Sequence, residues 1–161
     1  HVSSRRQRQM CIRDRINSGS QLIHAVAGST VPHISLQVGN SYGAGNYAMC
    51  GRSFNPRFLF SYPNSKSGVM GADQLAGVME IVKRRSAKSL NKEIDEKLLL
   101  EEKKMLAEQA DKKASVWHTT SEVWDDGVID PRETRKYLSL SLAAVYNSEI
   151  KGSDSFGVFR M

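Results

Sequence analysis

A glycine-punctuated stretch that follows an apolar run is the feature that most constrains how this chain folds. The run over residues 33–38, HISLQV, leads directly into residues 38–51, VGNSYGAGNYAMCG. Because glycine has no Cβ, such a stretch turns sharply and lets its backbone come close to a ligand. A strand, a tight turn and a helix start together direct free backbone N–H groups at one place. The sequence therefore predicts an anion-binding turn here.

Apolar periodicity on both sides of this turn predicts alternating strands and helices. Strands are expected over residues 31–38, 57–62, 69–71 and 128–129. Helices are expected over residues 20–28, 72–84 and 131–146, with a first helical turn over residues 46–50. This alternation is typical of an α/β fold with largely parallel strands.

Two further segments carry local signals. Residues 86–114 alternate lysines with acids and predict a charged helical segment, solvated or acting as a partner-docking arm, with one apolar stripe formed by Leu90, Ile94, Leu98 and Met105. Near the C-terminus, Asp130 is expected to cap a helix, with Pro131 at its first position and Glu133 completing a capping box. That helix is expected to turn three side chains inward: Leu138, Leu142 and Val145.

Charge and composition limit the class of protein. The chain has 161 residues and a net charge of +6, but residues 1–15 hold five arginines against one aspartate, which is +4 of that total. We interpret residues 1–15 as a non-native basic tail that resembles translated adapter sequence, and a basic nucleic-acid-binding arm is the alternative. No apolar run approaches the roughly 20 residues that cross a bilayer, and no secretory signal is evident. Two cysteines do not form a disulfide framework, so a cytoplasmic compartment is expected.

The predicted anion-binding turn also matches a motif with a different function. Residues 43–48, GAGNYA, match the G-x-G-x-x-G/A fingerprint of dinucleotide-binding proteins. That motif needs an acidic residue about 20 positions later to hold the ribose. Because no acid lies between Val31 and Ala72, the sequence disfavours nucleotide binding.

Catalysis by side chains is not indicated either. No metal site is predicted, because the histidines stand too far apart along the chain: His24, His33 and His118. Ser41 lacks the glycine-flanked elbow of hydrolases, and Cys50 is interpreted as a small core thiol. Backbone chemistry remains: the N–H groups of Ala44 and Gly45 would form an oxyanion hole at a helix start.

Three long motifs resemble one protein family. They are SYGAGNYAMCGRSFNPRFLFSYPNSKSGVMG, WDDGVIDPRETRKYLSLSLAAVYN and the terminal FGVFRM. In this order they resemble the carboxyltransferase (beta) subunit of biotin-dependent acyl-CoA carboxylases, and most of all its methylcrotonoyl-CoA carboxylase branch. The resemblance covers residues 16–161. It implies a crotonase (ClpP-like) superhelical ββα fold, of which residues 16–161 would be the C-terminal part of the second domain.

The resemblance implies a carboxyl transfer reaction and assigns residues to it. In this family CO2 passes from carboxybiotin, which a partner carries, to the enolate of an acyl-CoA. Backbone donors stabilise the enolates, and the positions that match one such oxyanion hole are Gly43, Ala44 and Gly45. The positions that match the wall of the substrate pocket are Tyr42, Tyr47, Met70 and Gly71. Tyr47 stands where short-chain acyl-CoA carboxylases have an aspartate, and the methylcrotonoyl branch shares this departure.

The resemblance also implies partners and a compartment. It implies biotin on a biotin carboxylase/biotin carboxyl carrier (alpha) subunit, a dimer-based hexamer of beta subunits, and a role in leucine degradation, without nucleic acid or membrane. The compartment would be the bacterial cytoplasm, or the mitochondrial matrix in a eukaryote. Because the first crotonase domain is not in this sequence, the chain alone is expected to be inactive and to aggregate through an exposed sheet edge.

The sequence also leaves two alternative functions open. A crotonase-superfamily hydratase or isomerase would use the same kind of turn, but it needs an acid beside it, and residues 31–72 supply none. A non-enzymatic binding protein would depend on the basic segment over residues 1–15.

Overall fold

Parallel strand pairing organises the fold. The structure, a computed structural model, describes residues 16–91 and 94–152. Its described strands are β1 (Ile34–Gln37), β2 (Asn40–Tyr42), β3 (Phe58–Ser61), β4 (Lys66–Gly68) and β5 (Gly127–Val128). One sheet has the order β1-β3-β5, the other pairs β2 with β4, and all of these pairings are parallel. The predicted α/β class with parallel strands is confirmed.

Six helices surround these sheets in the described part of the chain. They are α1 (residues 16–28), α2 (Gly43–Ala48), α3 (Ala72–Ser89), α4 (Glu96–Ala114), α5 (Val116–Ser121) and α6 (Thr134–Tyr146). The predicted end of α1 at residue 28 is confirmed, whereas α3 continues beyond the predicted residue 84. The strand expected over residues 69–71 is wrong. Residues 66–68 form the strand instead, because they are the ones that pair in register with β2.

Part of the core forms between α6 and the central strand β3. Leu59 and Phe60 are buried in β3, and the Phe60 ring lies 5.7 Å from the ring of Tyr137 on α6. This contact places Ser141 and Val145 on the same helix face, one and two turns later, and both are buried. The inward prediction therefore holds for Val145, and Leu138 is half-buried. It is wrong for Leu142, which is 46% exposed at the edge of that face.

The cap expected before α6 forms in part. The Asp130 carboxylate accepts a hydrogen bond from the backbone N–H of Arg132 at 2.9 Å, as an N-cap should. The Arg132 guanidinium beside it lowers the pKa of Asp130 to about 2. Residues 131–133 form a 3₁₀ turn rather than the first α-helical turn. The Glu133 carboxylate accepts from the Lys136 ammonium at 3.3 Å, so it pairs along the helix instead of completing a capping box.

The charged segment over residues 86–114 is largely exposed in this chain, and it is not one helix. α3 ends at Ser89, and α4 begins after Asp95, whose carboxylate accepts from the N–H groups of the next helical turn. The two helices pack on each other and exchange ion pairs: Lys83 with Glu102, Arg84 with Glu96, and Lys103 with Glu80. Because α4 begins separately after Asp95, its residues face different directions from those predicted for one continuous helix. Leu99 is buried, whereas three residues of the predicted stripe are exposed: Leu90, Leu98 and Met105.

Val123 adopts a backbone conformation that suits glycine. It follows α5 with φ of +56°, and the next residue, Trp124, donates its N–H back to the Thr119 carbonyl at 2.9 Å. This is the helix-ending arrangement that normally uses glycine, and a β-branched residue is strained in it by about 1–2 kcal/mol. The Val123 side chain is 82% exposed, so it offers little packing in compensation.

We expect Val123→Gly to raise the free energy of unfolding by about 0.5–1 kcal/mol, because relief of this strain exceeds the added chain entropy. Urea unfolding measures the change. Val31→Gly is the matched control, since Val31 is also exposed but its φ is not positive, and it should lower the same free energy. A loss of stability in Val123→Gly comparable to that control would contradict the prediction.

Candidate functional site

Parallel pairing of β2 with β4 brings two predicted site segments together. Ser41 pairs with Ser67, and Tyr42 with Gly68, so both strands end at the same edge of the sheet. Residues 43–45, the glycine turn, follow β2, and residues 69–71, the β4 rim, follow β4. A Cβ added to Gly43 would lie 3.1 Å from the carbonyl oxygen of Val69. The two segments are therefore in direct contact.

The glycine turn is itself the start of helix α2. The predicted helical turn from residue 46 starts too late, because α2 already begins at Gly43. Gly43 has φ of +52°, a conformation that glycine adopts without strain. The preceding Tyr42 is extended and makes no side-chain capping bond, so the first N–H groups of α2 have no partner within the helix. Ala44 and Gly45 are exposed, which leaves their backbone at an open surface.

Asn46 connects this turn to both strands of the small sheet. Its side-chain Nδ2 donates to the hydroxyl of Ser41 at 2.9 Å and to the hydroxyl of Ser67 at 3.4 Å. Its carbonyl accepts the N–H of Gly51 at 2.7 Å. From the sequence, Asn46 is predicted only as part of a helical turn. No local signal marks it, because Ser67 lies 21 residues away along the chain.

The predicted substrate-binding residues surround the same edge. The Tyr42 ring packs over Gly68, where an added Cβ would lie 3.4 Å from it. Tyr47 meets the Phe54 ring edge-on at 5.8 Å and remains 43% exposed, and Met70 is 36% exposed. Gly71 caps α3 and accepts the N–H of Leu75 at 2.9 Å. Tyr47 and Met70 thus present side chains to solvent near the turn, whereas Tyr42 packs against the sheet.

Cys50 is a core thiol, as predicted. Its side chain is 4% exposed, and burial raises the pKa of the thiol above its ordinary value. A protonated, enclosed thiol is a poor nucleophile. Across residues 16–91 and 94–152, no group of three or more His, Cys, Asp or Glu side chains could hold a metal ion. In the same ranges, no helix has the length and apolarity to cross a membrane.

A cavity that none of these predicted site residues lines lies elsewhere in the described part of the chain. It encloses about 1030 Å³ between the α1–β1 connection and the residues around Trp124, whose ring lies 4.4 Å from the Arg52 guanidinium carbon. None of residues 42–47 or 69–71 lines it. Its walls carry charged side chains of both signs, Arg52 and Arg57 with Asp125 and Asp126. This cavity is therefore separate from the strand edge, which remains the candidate site.

Comparison with known proteins identifies the family of this chain. The family model described as "Carboxyl transferase domain" matches residues 8–158. The chain is 48% identical over 146 residues to a Mycobacterium tuberculosis protein named "Probable biotin-dependent acyl-coenzyme A carboxylase beta2 subunit", covering 91% of this chain and 28% of that protein. It is 42% identical over 144 residues to the mitochondrial methylcrotonoyl-CoA carboxylase beta chain of Dictyostelium discoideum, covering 89% and 24%.

Solved structures agree at the level of the fold. The beta subunit of Pseudomonas aeruginosa geranyl-CoA carboxylase superimposes with a TM-score of 0.70 at 42% identity, covering 89% of this chain and 27% of that chain. The transcarboxylase 12S structure shares the fold with a TM-score of 0.66 at 23% identity. The chain spans about a quarter of the length of these relatives. The predicted fold class, part of a crotonase-type α/β domain, is confirmed, and the chain belongs to the carboxyl transferase domain family.

Proposed function

We propose that this chain forms part of the carboxyltransferase (beta) subunit of a biotin-dependent acyl-CoA carboxylase, and that it contributes one oxyanion hole to the reaction. The observation that carries the proposal is the family match over residues 8–158, which includes both the glycine turn and the β4 rim. The names of the similar proteins support the same class of reaction.

The glycine turn is suited to hold the oxygen of an enolate. The N–H groups of Ala44 and Gly45 precede any intrahelical acceptor, so they can donate to an external anion. A side chain at position 43 would meet the Val69 carbonyl at 3.1 Å, so glycine keeps the turn close to the β4 rim. No acidic residue lies between Val31 and Ala72 to repel an anion. Backbone donors without a repelling acid suit the oxygen of the ureido ring of biotin. When bound, carboxylated biotin would supply the CO2.

The chain's own residues divide the remaining tasks. The amides of Ala44 and Gly45 would donate hydrogen bonds to a developing negative charge, a contribution whose loss typically costs about 2.7–4 kcal/mol of transition-state stabilisation. Tyr47, held edge-on by Phe54, and Met70 would supply apolar walls that exclude water. An aromatic ring at position 47 favours a branched, apolar acyl group, so the proposed substrate is methylcrotonoyl-CoA or a thioester like it.

Partners and compartment follow from the same proposal. Biotin would be attached to a biotin carboxylase/biotin carboxyl carrier (alpha) subunit, and beta subunits would associate with one another, as the hexamer named for transcarboxylase 12S illustrates. The compartment would be the cytoplasm in a bacterium or the mitochondrial matrix in a eukaryote. Since the chain spans only about a quarter of the length of these relatives, we expect the 161-residue chain alone to be inactive.

The test is carboxylation by the full-length subunit that carries this sequence. Purified with an alpha subunit, ATP and labelled bicarbonate, it should fix label into methylcrotonoyl-CoA at a higher kcat/KM than into acetyl-CoA or propionyl-CoA. Omitting the alpha subunit should abolish fixation, and the 161-residue chain in place of the full subunit should give none. Fixation into none of the three thioesters would refute the proposed function, whereas a preference for acetyl-CoA would refute only the proposed substrate.

A further inference from the structure

We propose that Asn46 is a positioning residue that fixes the glycine turn relative to the β4 rim, and so sets the direction of the catalytic backbone amides. The inference rests on the proposed function, because it concerns the geometry of the same turn. Asn46 itself would touch neither substrate nor cofactor.

The glycine turn has few structural constraints of its own. Helix α2 has six residues, and isolated helices of that length are unstable in water. It makes no side-chain capping bond at its start, and its first residue, Gly43, has the wide conformational freedom of glycine. The strands that support it, β2 and β4, have three residues each. The orientation of the turn must therefore come from contacts outside the helix.

The side chain of Asn46 makes such contacts to both strands, β2 and β4. The Asn46 amide nitrogen donates to Ser41 on β2 at 2.9 Å and to Ser67 on β4 at 3.4 Å. Ser41 and Ser67 are direct partners at the middle of the paired strands. Asn46 thus joins the strand that leads into the glycine turn to the strand that leads into the β4 rim. A displacement of about 1 Å in a catalytic geometry can lower a rate about 100-fold.

Glycine at position 51 leaves room for the Asn46 side chain. A Cβ on Gly51 would lie 1.9 Å from the Asn46 Oδ1, so only glycine at position 51 allows the observed conformation of Asn46. Gly51 is buried and donates its N–H to the Asn46 carbonyl at 2.7 Å. Both ends of Asn46, backbone and side chain, are therefore held in place.

The test compares Asn46→Ala with Asn40→Ala in the full-length subunit assembled with its alpha partner. Asn40 is the matched control, because it is exposed and lies on β2. We expect Asn46→Ala to lower kcat roughly 100-fold, with KM for methylcrotonoyl-CoA changed less than about threefold, because ground-state binding is kept. Asn40→Ala should leave kcat and KM unchanged. A purely structural role would instead lower Tm and the fraction of active enzyme, with kcat per active site retained, and that result would overturn the inference.

A second set of variants tests the route of the effect. Ser41→Ala combined with Ser67→Ala should also lower kcat, and adding Asn46→Ala to that pair should lower it by less than about twofold more, because the three groups act as a unit. Fully additive losses would overturn the inference. If Asn46→Ala does not fold, the serine pair carries the test, and an unchanged kcat in that pair overturns it. An inactive wild-type subunit would instead refute the proposed function, whereas an active wild type with an equally active Asn46→Ala refutes only the role of Asn46.

Discussion

Ala44→Val in the full-length subunit is expected to lower carboxyl transfer at least about 100-fold while the protein still folds. Ala44 is exposed at the second position of α2, so the folded state can accommodate two more methyl groups there. Those methyl groups would stand beside the amides of Ala44 and Gly45 and obstruct an approaching enolate. Loss of one oxyanion-hole donor typically lowers kcat by about 100- to 1000-fold, and blocking access should cost at least as much.

Steady-state transfer of label and thermal unfolding, measured on the same preparations, check this prediction. Ala143→Val is the matched control, because Ala143 is likewise exposed on a helix, and that helix is α6 rather than α2. The control should keep its activity, and both variants should unfold near the wild-type temperature. Near-normal turnover in Ala44→Val would refute the assignment of the oxyanion hole. A large drop in unfolding temperature would show that the activity was lost through folding.

Gly51→Ala is expected to lower the free energy of unfolding by about 2–3 kcal/mol, a large effect for one methyl group. The added Cβ would lie 1.9 Å from the Asn46 Oδ1 and 2.7 Å from the Asn46 carbonyl oxygen. The side-chain oxygen can move only by giving up the present amide contacts with the two serines. The carbonyl oxygen can move only by breaking its hydrogen bond with the Gly51 N–H. Both routes cost stability, because they disturb a buried part of the chain.

Urea unfolding of Gly51→Ala beside Gly39→Ala measures this effect. Gly39 is the matched control, since an added Cβ there would find no atom within 4 Å and its φ is not in the left-handed region. Gly39→Ala should be neutral or slightly stabilising, because alanine reduces the entropy of the unfolded chain. Equal stability of the two variants would contradict the steric argument and remove one support for the role of Asn46.

Local chemistry explains which predictions succeeded. The end of α1 at residue 28 and the cap at Asp130 both depend on neighbouring residues. The Asp130 cap, for example, needs only the N–H group of Arg132, two positions later. Such bonds form within a few residues, so their residue types and spacing are visible in the sequence.

The predictions that failed depended on more distant partners. Residues 66–68 form a strand, rather than 69–71, because pairing with β2 selects them. The apolar stripe of the charged segment shifted from Leu98 to Leu99 because α4 starts anew after Asp95. Leu142 lies at the edge of its helix face because the contact between Tyr137 and Phe60 sets the rotation of α6.

The candidate site shows the same division. By itself the sequence determined the glycine turn. Glycine at position 43 adopts the φ of +52° without strain, and it has no Cβ to meet the carbonyl oxygen of Val69. The sequence also determined the family, because long motifs occur in order along the chain. Only the tertiary structure decided that the β4 rim lies against the turn and that Asn46 holds the two together. Parallel strands need a long connection between them, so the groups that meet at their ends are separated in sequence and leave no local pattern.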